Sequence, residues 1–181
     1  MRLRANELKT RASEAGVSVE QLADAVTRDG LSGDAAVKAV KNWLAGKGTP
    51  RCTRSDIEAM ATAVGCLPRE IAKYTSQVRN HRGSPKKAKL VADMIRGKSF
   101  EEADNMLAFS TKRAAVNIRK ALKAAAADAE QLGADPSSVF VSEVAVDRGM
   151  HIKRFQPKDR GRAHPIHKRT SHITLSLQER N

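Results

Sequence analysis

Alternating apolar and polar residues mark two short runs near the C-terminal end of the chain. The apolar members are Val139, Val141, Val144 and Val146 in the first run, and Ile173, Leu175 and Leu177 in the second. A period of two residues is typical of a strand with one buried face. The stretch between the runs, residues 148–170, is too polar to fold on itself. The pattern therefore predicts two strands joined by an overgrown hairpin.

The two strands also predict where the hairpin turns. The expected register places Val144 opposite Leu177, so the midpoint falls between Arg160 and Gly161. The sequence DRGR at residues 159–162 is a good turn former, since glycine permits conformations closed to other residues. At ~3.3 Å per residue, each arm would project roughly 40 Å. An isolated two-stranded ribbon is marginally stable in water, so we expect a partner that neutralises it to impose its order.

Helical spacing of apolar residues dominates residues 84–132. Helices are predicted from Pro85 to Arg96, from Phe100 onward, and from Thr111 to Leu132. Ser84 and Ser99 are the expected N-caps, and Ser99 with Glu102 has the spacing of a capping box. The expected inward residues are Leu90, Val91, Met94, Ile95, Ala103, Met106, Leu107, Ala115, Ile118, Leu122, Ala125, Ala129 and Leu132. Residues 76–82 are predicted to form a short edge strand or a linker.

Helix caps and stops in residues 1–75 predict five short helices. The predicted helices run from Ala5 to Ala15, from Ser18 onward, from Asp34 to Ala45, from Thr53 to Gly65 and from Arg69 to Tyr74. Gly16 is an expected helix stop, and Gln21 and Asp56 stand three residues after Ser18 and Thr53, as in capping boxes. Trp43 is expected in the core. The fold prediction is therefore α+β: a helical domain, residues 1–75, precedes a domain of three helices and an antiparallel sheet, residues 76–181.

The net charge of the chain indicates what kind of partner it binds. The chain of 181 residues has a net charge of +13, and its 40% hydrophobic content is enough for an aliphatic core. Residues 148–170 alone contain eight Lys or Arg, so the natural partner is a polyanion. A membrane is not expected, because no apolar run approaches the ~20 residues needed to span one. Cys52 and Cys66 are isolated and are expected to be free thiols in a reducing, cytosolic compartment.

The first helices resemble a Cro/repressor-type helix-turn-helix domain. The phrases LADAV (residues 22–26) and VKNWLAGKGTP (residues 40–50) carry this resemblance. The sequence departs from that family before the third helix, where the connection is several residues longer. Asp29 and Asp34 also stand where a recognition helix would approach phosphates. Three roles therefore stay open for residues 1–75: packing or protein docking, RNA contact, and DNA reading.

Three longer stretches resemble the bacterial ribosomal large-subunit protein twenty-two family. They are SPKKAKLVADMIRGKSFEEA (84–103), TKRAAVNIRKALKAAAADAE (111–130) and KRFQPKDRGRAHPIHKRTSHITL (153–175). The resemblance covers about residues 75–180 and implies a small α+β domain on the cytoplasmic large subunit. It also implies a hairpin that follows ribosomal RNA (rRNA) inward to the wall of the peptide exit tunnel. The implied partners are large-subunit rRNA, neighbouring large-subunit proteins and the nascent peptide.

Candidate RNA contacts follow from charge and from the resemblance, because Lys and Arg bind RNA by neutralising its phosphates. The expected contacts are Arg148, Lys153, Arg154, Lys158, Arg160, Arg162, Lys168 and Arg169 in the hairpin, with Lys86, Lys87, Lys89, Arg96 and Lys98 in the body. The resemblance implies that the tip nearest the tunnel lumen is Lys158, Asp159, Arg160, Gly161, Arg162 and Ala163. Phe155 has two open roles: contact with an RNA base, and packing against the opposite arm.

The sequence favours no other chemistry. His164 and His167 lack the spacing of a zinc site, and the two cysteines lie in the other predicted domain, so neither a metal nor a cofactor is expected. No Gly-rich phosphate loop, nucleophile elbow or carboxylate pair is visible, so an enzyme is not expected. The remaining alternative is a DNA-associated regulator that reads DNA with residues 1–75 and anchors itself through its basic C-terminal part.

Overall fold

The structure, a computed structural model, describes residues 1–180. These residues form two compact units: residues 1–74 with 128–134, and residues 75–127 with 135–180. Helices and antiparallel strands both occur, so the fold class is α+β, as predicted.

The first unit contains the five predicted helices. They are α1 (Ala5–Ala15), α2 (Val19–Ala25), α3 (Asp34–Leu44), α4 (Arg54–Val64) and α5 (Pro68–Ile71). Both capping boxes are present: Ser18 with Gln21 begins α2, and Thr53 with Asp56 begins α4. Gly16 ends α1 in the left-handed conformation. These predicted caps and the predicted stop are confirmed, because each depends only on residues within about one helical turn.

Apolar side chains from the first four helices form the core of this unit. Leu8, Leu22, Val40, Trp43, Ile57 and Met60 are each at most 3% exposed. Trp43 lies in the core, as predicted, and its indole N–H donates to the Pro50 carbonyl at 2.5 Å. Arg28 ties the connection before α3 to the start of α4. Its guanidinium donates to Thr53 Oγ1 at 3.1 Å and lies 3.4 Å from the buried carboxylate of Asp56.

The end of the fifth helix was predicted wrongly. The helix is predicted to reach Tyr74, but α5 ends at Ile71 and strand β2 (Ala72–His81) begins at once. Ala72 and Tyr74 are buried on either side of the half-exposed Lys73, which is the alternation of a strand. Pairing in a sheet satisfies the backbone of this segment and outweighs its weak helical propensity. Residues 76–81 accordingly belong to a long strand and not to a linker.

A second short pairing was not predicted at all. Arg2–Leu3 forms strand β1, with Arg2 opposite Lys73 and Leu3 opposite Ala72. Two residues carry too little alternation to predict a strand from sequence.

The second unit combines three helices with antiparallel strands, as predicted. The helices are α6 (Pro85–Ile95), α7 (Phe100–Phe109) and α8 (Arg113–Glu130). The strands that follow them are β3 (Val139–Arg148), β4 (Ile152–Pro157), β5 (Ala163–Lys168) and β6 (Ser171–Glu179). Strand β6 lies between β2 and β3, whereas β4 and β5 pair only with each other.

The core of the second unit lies between the helices and the sheet. The buried residues include the predicted α8 positions Ala115, Ile118, Leu122 and Ala125, and the strand positions Val139, Val141, Val144, Ile173, Leu175 and Leu177. Ala129, also buried as predicted, belongs to the first unit. Ser99 accepts the backbone N–H of Glu102, as one half of the predicted capping box requires. Ser84 is the N-cap of α6, but its side chain makes no capping bond. Met106 and Leu132 are only half-buried.

The buried face of α6 agrees with the prediction at Val91 and Ile95 and differs from it at Leu90 and Met94. Leu90 and Met94 are 61% and 41% exposed, and the buried residues are Ala88, Val91, Ala92 and Ile95. Alanine lets a helix lie closer to its neighbour than leucine does, and α6 packs against β3. The side of α6 that carries Ala88 and Ala92 therefore packs against the sheet, because a close-packed interface has no room for Leu90 and Met94.

The register of the two long strands also differs from the prediction. Val144 pairs with Leu175 instead of Leu177, which is a shift of two residues, and a bulge at Ser142 adds one residue to β3 beside this pair. The spacing of three between Val141 and Val144 is the sequence signal of this bulge, since it shifts the alternation by one residue. The Ser142 hydroxyl donates to the Ser176 carbonyl at 3.1 Å.

Candidate nucleic-acid interface

The ribbon of β4 and β5 is a surface feature without a core of its own. Its register runs from Ile152 opposite Lys168 to Pro157 opposite Ala163. Every residue from Lys153 to Arg169 is exposed. Within the part of the chain that the structure describes, none of the eight predicted hairpin cations forms a salt bridge. The ribbon thus presents its positive charge to solvent.

The two faces of the ribbon have different chemistry. Side chains directly opposite each other in an antiparallel pair lie on the same face. One face carries Lys153, Phe155, Pro157, Ala163, Pro165 and His167, and the other carries Ile152, Arg154, Gln156, His164, Ile166 and Lys168. Phe155 lies opposite Pro165 but remains 75% exposed. Pairing with the opposite arm therefore leaves most of its ring free for another contact.

The tip of the ribbon is a three-residue turn, Asp159–Gly161. Both Arg160 and Gly161 have left-handed backbone conformations, with φ of 54° and 71°. The N–H of Lys158 donates to the Arg162 carbonyl at 2.7 Å, and the N–H of Arg162 donates to the Asp159 carbonyl at 3.2 Å. Arginine is uncommon in this conformation, so sequence reasoning identified only the glycine.

Hydrogen bonds join the root of the ribbon, which comprises Gly149, Met150 and Thr170, to the sheet. The Gly149 N–H donates to the Thr170 carbonyl at 2.9 Å, and the Thr170 hydroxyl donates to the Met150 carbonyl at 2.6 Å. The Asn80 N–H donates to His172 Nδ1 at 3.1 Å. Gly149 permits this close approach, since an added Cβ would overlap Thr170 Oγ1.

The predicted cations of the body fall into two groups. Lys86, Lys87 and Lys89 are exposed around the first turn of α6, and none of them forms a salt bridge within the described residues. Arg96 instead donates to the Val144 carbonyl and pairs with Asp93, both at 2.9 Å. Lys98 lies 3.8 Å from the Glu102 carboxylate. The first group is therefore freer to meet an external anion than the second.

The basic residues of α8 are partly neutralised. The Arg119 guanidinium donates two hydrogen bonds to the Asp104 carboxylate, at 2.7 and 2.8 Å. These bonds hold the pKa of Asp104 below its usual value. Lys120 and Lys123 remain exposed on the same helix, as does Lys112 just before it.

Two further cations lie where sequence reasoning did not look for a site. Arg82 and Arg113 line a cleft at the ribbon root together with Lys168 and Arg169. Arg113 is predicted only as part of the helix from Thr111 to Leu132, and Arg82 only as part of a linker or edge strand. The nearest sequence signal is the helix start at Ser84, two residues after Arg82.

Residues 1–180 contain neither a metal-binding cluster nor a membrane-spanning helix. No group of three or more His, Cys, Asp or Glu side chains in this range is arranged to hold a metal ion. No helix in the same range has the length and apolar character needed to cross a membrane.

The second unit is similar in sequence to known proteins. Residues 76–178 match the family model of ribosomal protein L22p/L17e. The chain belongs to this family. The resemblance predicted from three sequence stretches is thereby confirmed. Residues 1–75 lie outside the match, and their resemblance to helix-turn-helix domains stays a prediction.

Curated relatives agree with the family match. The large ribosomal subunit protein uL22 of Rubrobacter xylanophilus is 54% identical over 110 residues, which cover 60% of this chain and 82% of the relative. The uL22 proteins of Magnetococcus marinus and Syntrophotalea carbinolica are 53% and 45% identical, over 53% and 58% of this chain and 86% and 96% of their own lengths. The chain is thus a structural protein of the cytoplasmic large ribosomal subunit and of translation, and it is not an enzyme.

Proposed function

We propose that the chain binds and organises large-subunit rRNA through its hairpin and the basic start of α6, and that the hairpin tip lines the peptide exit tunnel. In this proposal the phosphate contacts are Arg148, Lys153, Arg154, Lys158, Arg160, Arg162, Lys168, Arg169, Lys86, Lys87, Lys89, Arg96 and Lys98. Residues 158–163 form the tip that meets the nascent peptide. Neighbouring large-subunit proteins are the other partners of the body.

The observation that carries this proposal is the exposed ribbon of β4 and β5. It has no core, pairs with no other strand and holds its cations without acidic partners among the described residues. Such a ribbon is marginal in water, and phosphates supply both the missing counter-charge and binding energy through counterion release. RNA fits better than duplex DNA, because an exposed Phe155 matches the unstacked bases that RNA offers.

Arg96 and Lys98 make a smaller proposed contribution than the other contacts. Arg96 already bonds to Val144 and Asp93, and Lys98 has Glu102 nearby. Binding a phosphate would require each to share or leave its present partner. We therefore expect their substitution by Gln to weaken rRNA binding less than substitution of Lys87.

Cross-linking tests the position of the tip. A photoreactive amino acid at Arg160 of the full chain, incorporated into large subunits, is expected to cross-link to a stalled nascent peptide. The same amino acid at Lys120, on the exposed face of α8, is the matched control and is expected to give no such product. Efficient cross-linking from Lys120 with none from Arg160 contradicts the tunnel position.

Sedimentation tests the rRNA contacts. The full chain is expected to co-sediment with large subunits at moderate salt, and Lys153→Gln with Arg154→Gln is expected to shift part of it to the light fractions. A wild-type chain that stays in the light fractions contradicts the proposal.

For residues 1–75 we propose an accessory role in packing or protein docking, ahead of RNA contact and DNA reading. Asp34 begins α3, the helix that would read DNA, and places an acid where phosphates would approach. Arg28, in the connection before α3, is already engaged by Thr53 and Asp56. Replacing Lys38 and Lys41 on α3 by Gln in the full chain should leave duplex DNA binding unchanged; a large loss supports DNA reading instead.

A further inference from the structure

A cleft at the root of the hairpin is a second cationic feature of the second unit. It is open to solvent and has a volume of about 640 Å³. Arg82 follows β2, Arg113 begins α8, Lys168 ends β5 and Arg169 follows it. None of the described residues that line the cleft is acidic. A concave surface with one sign of charge concentrates ions of the opposite sign.

The four cations are available to a ligand. Their side chains are all exposed, and within residues 1–180 none of them forms a salt bridge or a side-chain hydrogen bond. This distinguishes them from Arg96 and Arg119, which donate to protein acceptors. Mutual repulsion of four close cations is a cost that an external anion removes.

Two helix N-termini add to the positive potential of the cleft. Ser84 is the N-cap of α6 and lines the cleft, and its hydroxyl makes no capping bond. Arg113, on another wall, is the first residue of α8. Free backbone N–H groups and the helix dipole favour phosphate at such positions. The first turn of α6 contains no acid that would compete.

The backbone approaches closely at this point. A Cβ on Gly83 would lie 2.6 Å from Nε2 of the buried His81, so glycine allows the turn between β2 and α6 to pass over that ring. Asn117 lies 2.6 Å from the other ring nitrogen of His81 and holds the ring in place. The wall that carries Arg82 and Ser84 is therefore well supported.

We propose that this cleft binds a backbone phosphate of large-subunit rRNA, with Arg82 and Arg113 as its added contacts; the inference rests on the rRNA binding proposed above. A phosphodiester of the bound strand fits better than a free anion, because Lys168 and Arg169 continue directly into the basic ribbon. An RNA strand that follows the ribbon to its root meets the cleft next.

The test replaces Arg82 and Arg113 by Gln in the full chain and measures its affinity for large-subunit rRNA as a function of salt concentration. Each lost phosphate contact lowers the slope of log K against log salt by ~0.7–0.9. Because Arg82 and Arg113 are proposed to hold one phosphate, the double variant is expected to lose about 0.7–0.9 from the slope. Ethylation interference should also disappear at one phosphate. Lys120→Gln with Lys123→Gln removes the same charge from an exposed face of α8 and is the matched control.

The outcomes separate the cleft from the hairpin. If the double variant has the slope and interference pattern of the control while wild type binds, the cleft proposal is overturned and the hairpin proposal stands. Lys153→Gln with Arg154→Gln should lose interference at different phosphates. Failure of the wild-type chain to bind rRNA overturns the hairpin proposal and the cleft proposal together. A further possible result is that millimolar inorganic phosphate shifts the Ser84 amide signal while the double variant keeps the wild-type salt slope for rRNA. This result would identify a site for a free anion and overturn the assignment to RNA.

Discussion

Replacing Gly149 by alanine tests how the hairpin is held at its root. An added Cβ would overlap Thr170 Oγ1 and lie 3.2 Å from the Thr170 carbonyl carbon and 3.3 Å from His172 Nε2. Thr170 is buried, and its hydroxyl is committed to the Met150 carbonyl at 2.6 Å. Rotation of the hydroxyl away from the new methyl group would therefore break that hydrogen bond.

Two contributions determine the expected cost. A lost intramolecular hydrogen bond costs about 0.5–1.5 kcal/mol, and overfilling a packed site costs about 1–3 kcal/mol. Together they predict a local destabilisation of about 1.5–4.5 kcal/mol for Gly149→Ala. At 1.4 kcal/mol per factor of ten, the root should open about 10- to 1,600-fold more often.

Amide exchange at the root measures this opening. The Gly149 N–H donates to the Thr170 carbonyl at 2.9 Å, so the amide at position 149 should exchange faster in the variant while that of Leu122 in α8 is unchanged. Gly48→Ala is the matched control, because nothing lies within 4 Å of a Cβ there. Adding Thr170→Ala to the variant removes the overlapping atom and should restore part of the protection. Exchange at the wild-type rate in Gly149→Ala would refute the close-contact explanation of the root.

Three further predictions concern the core and two titratable groups. Leu122→Ala, at a position 0% exposed, should lower the free energy of unfolding by about 2–5 kcal/mol in urea denaturation; Leu90→Ala, on the exposed face of α6, should change it by less than about 0.5 kcal/mol, and equal losses would contradict the observed orientation of α6. Burial, and then Arg113, lowers the pKa of His81 below 6.5. Because the folded state disfavours the protonated ring, stability should fall as the pH drops through 6.5, and a His81→Gln variant with the same pH dependence would refute this cause. Burial raises the pKa of the Cys52 thiol to about 12, so its alkylation at pH 8 should be much slower in the folded protein than in urea; equal rates would contradict its burial.

Much of the candidate site was predictable from the sequence. The hairpin cations were predicted because eight Lys or Arg lie within residues 148–170, between two runs of alternating apolar residues. Such a local concentration of charge is visible in the sequence. The turn at Asp159–Gly161 followed from local chemistry in the same way. Arg82 and Arg113 were missed as a pair, since they are 31 positions apart and meet Lys168 only after α6, α7 and the strands have packed.

The sequence by itself determined the class and the order of elements, because caps, stops and periodicities act within one helical turn or a few strand residues. It thus identified the span of α1, the caps at Ser18 and Thr53 and the buried stripe of α8. Only the tertiary structure decided which face of α6 is buried and where β2 begins. The same holds for the hairpin root, which depends on Gly149 and Thr170 approaching each other. These features depend on the close packing of distant segments, where the space left by a neighbour outweighs a local preference.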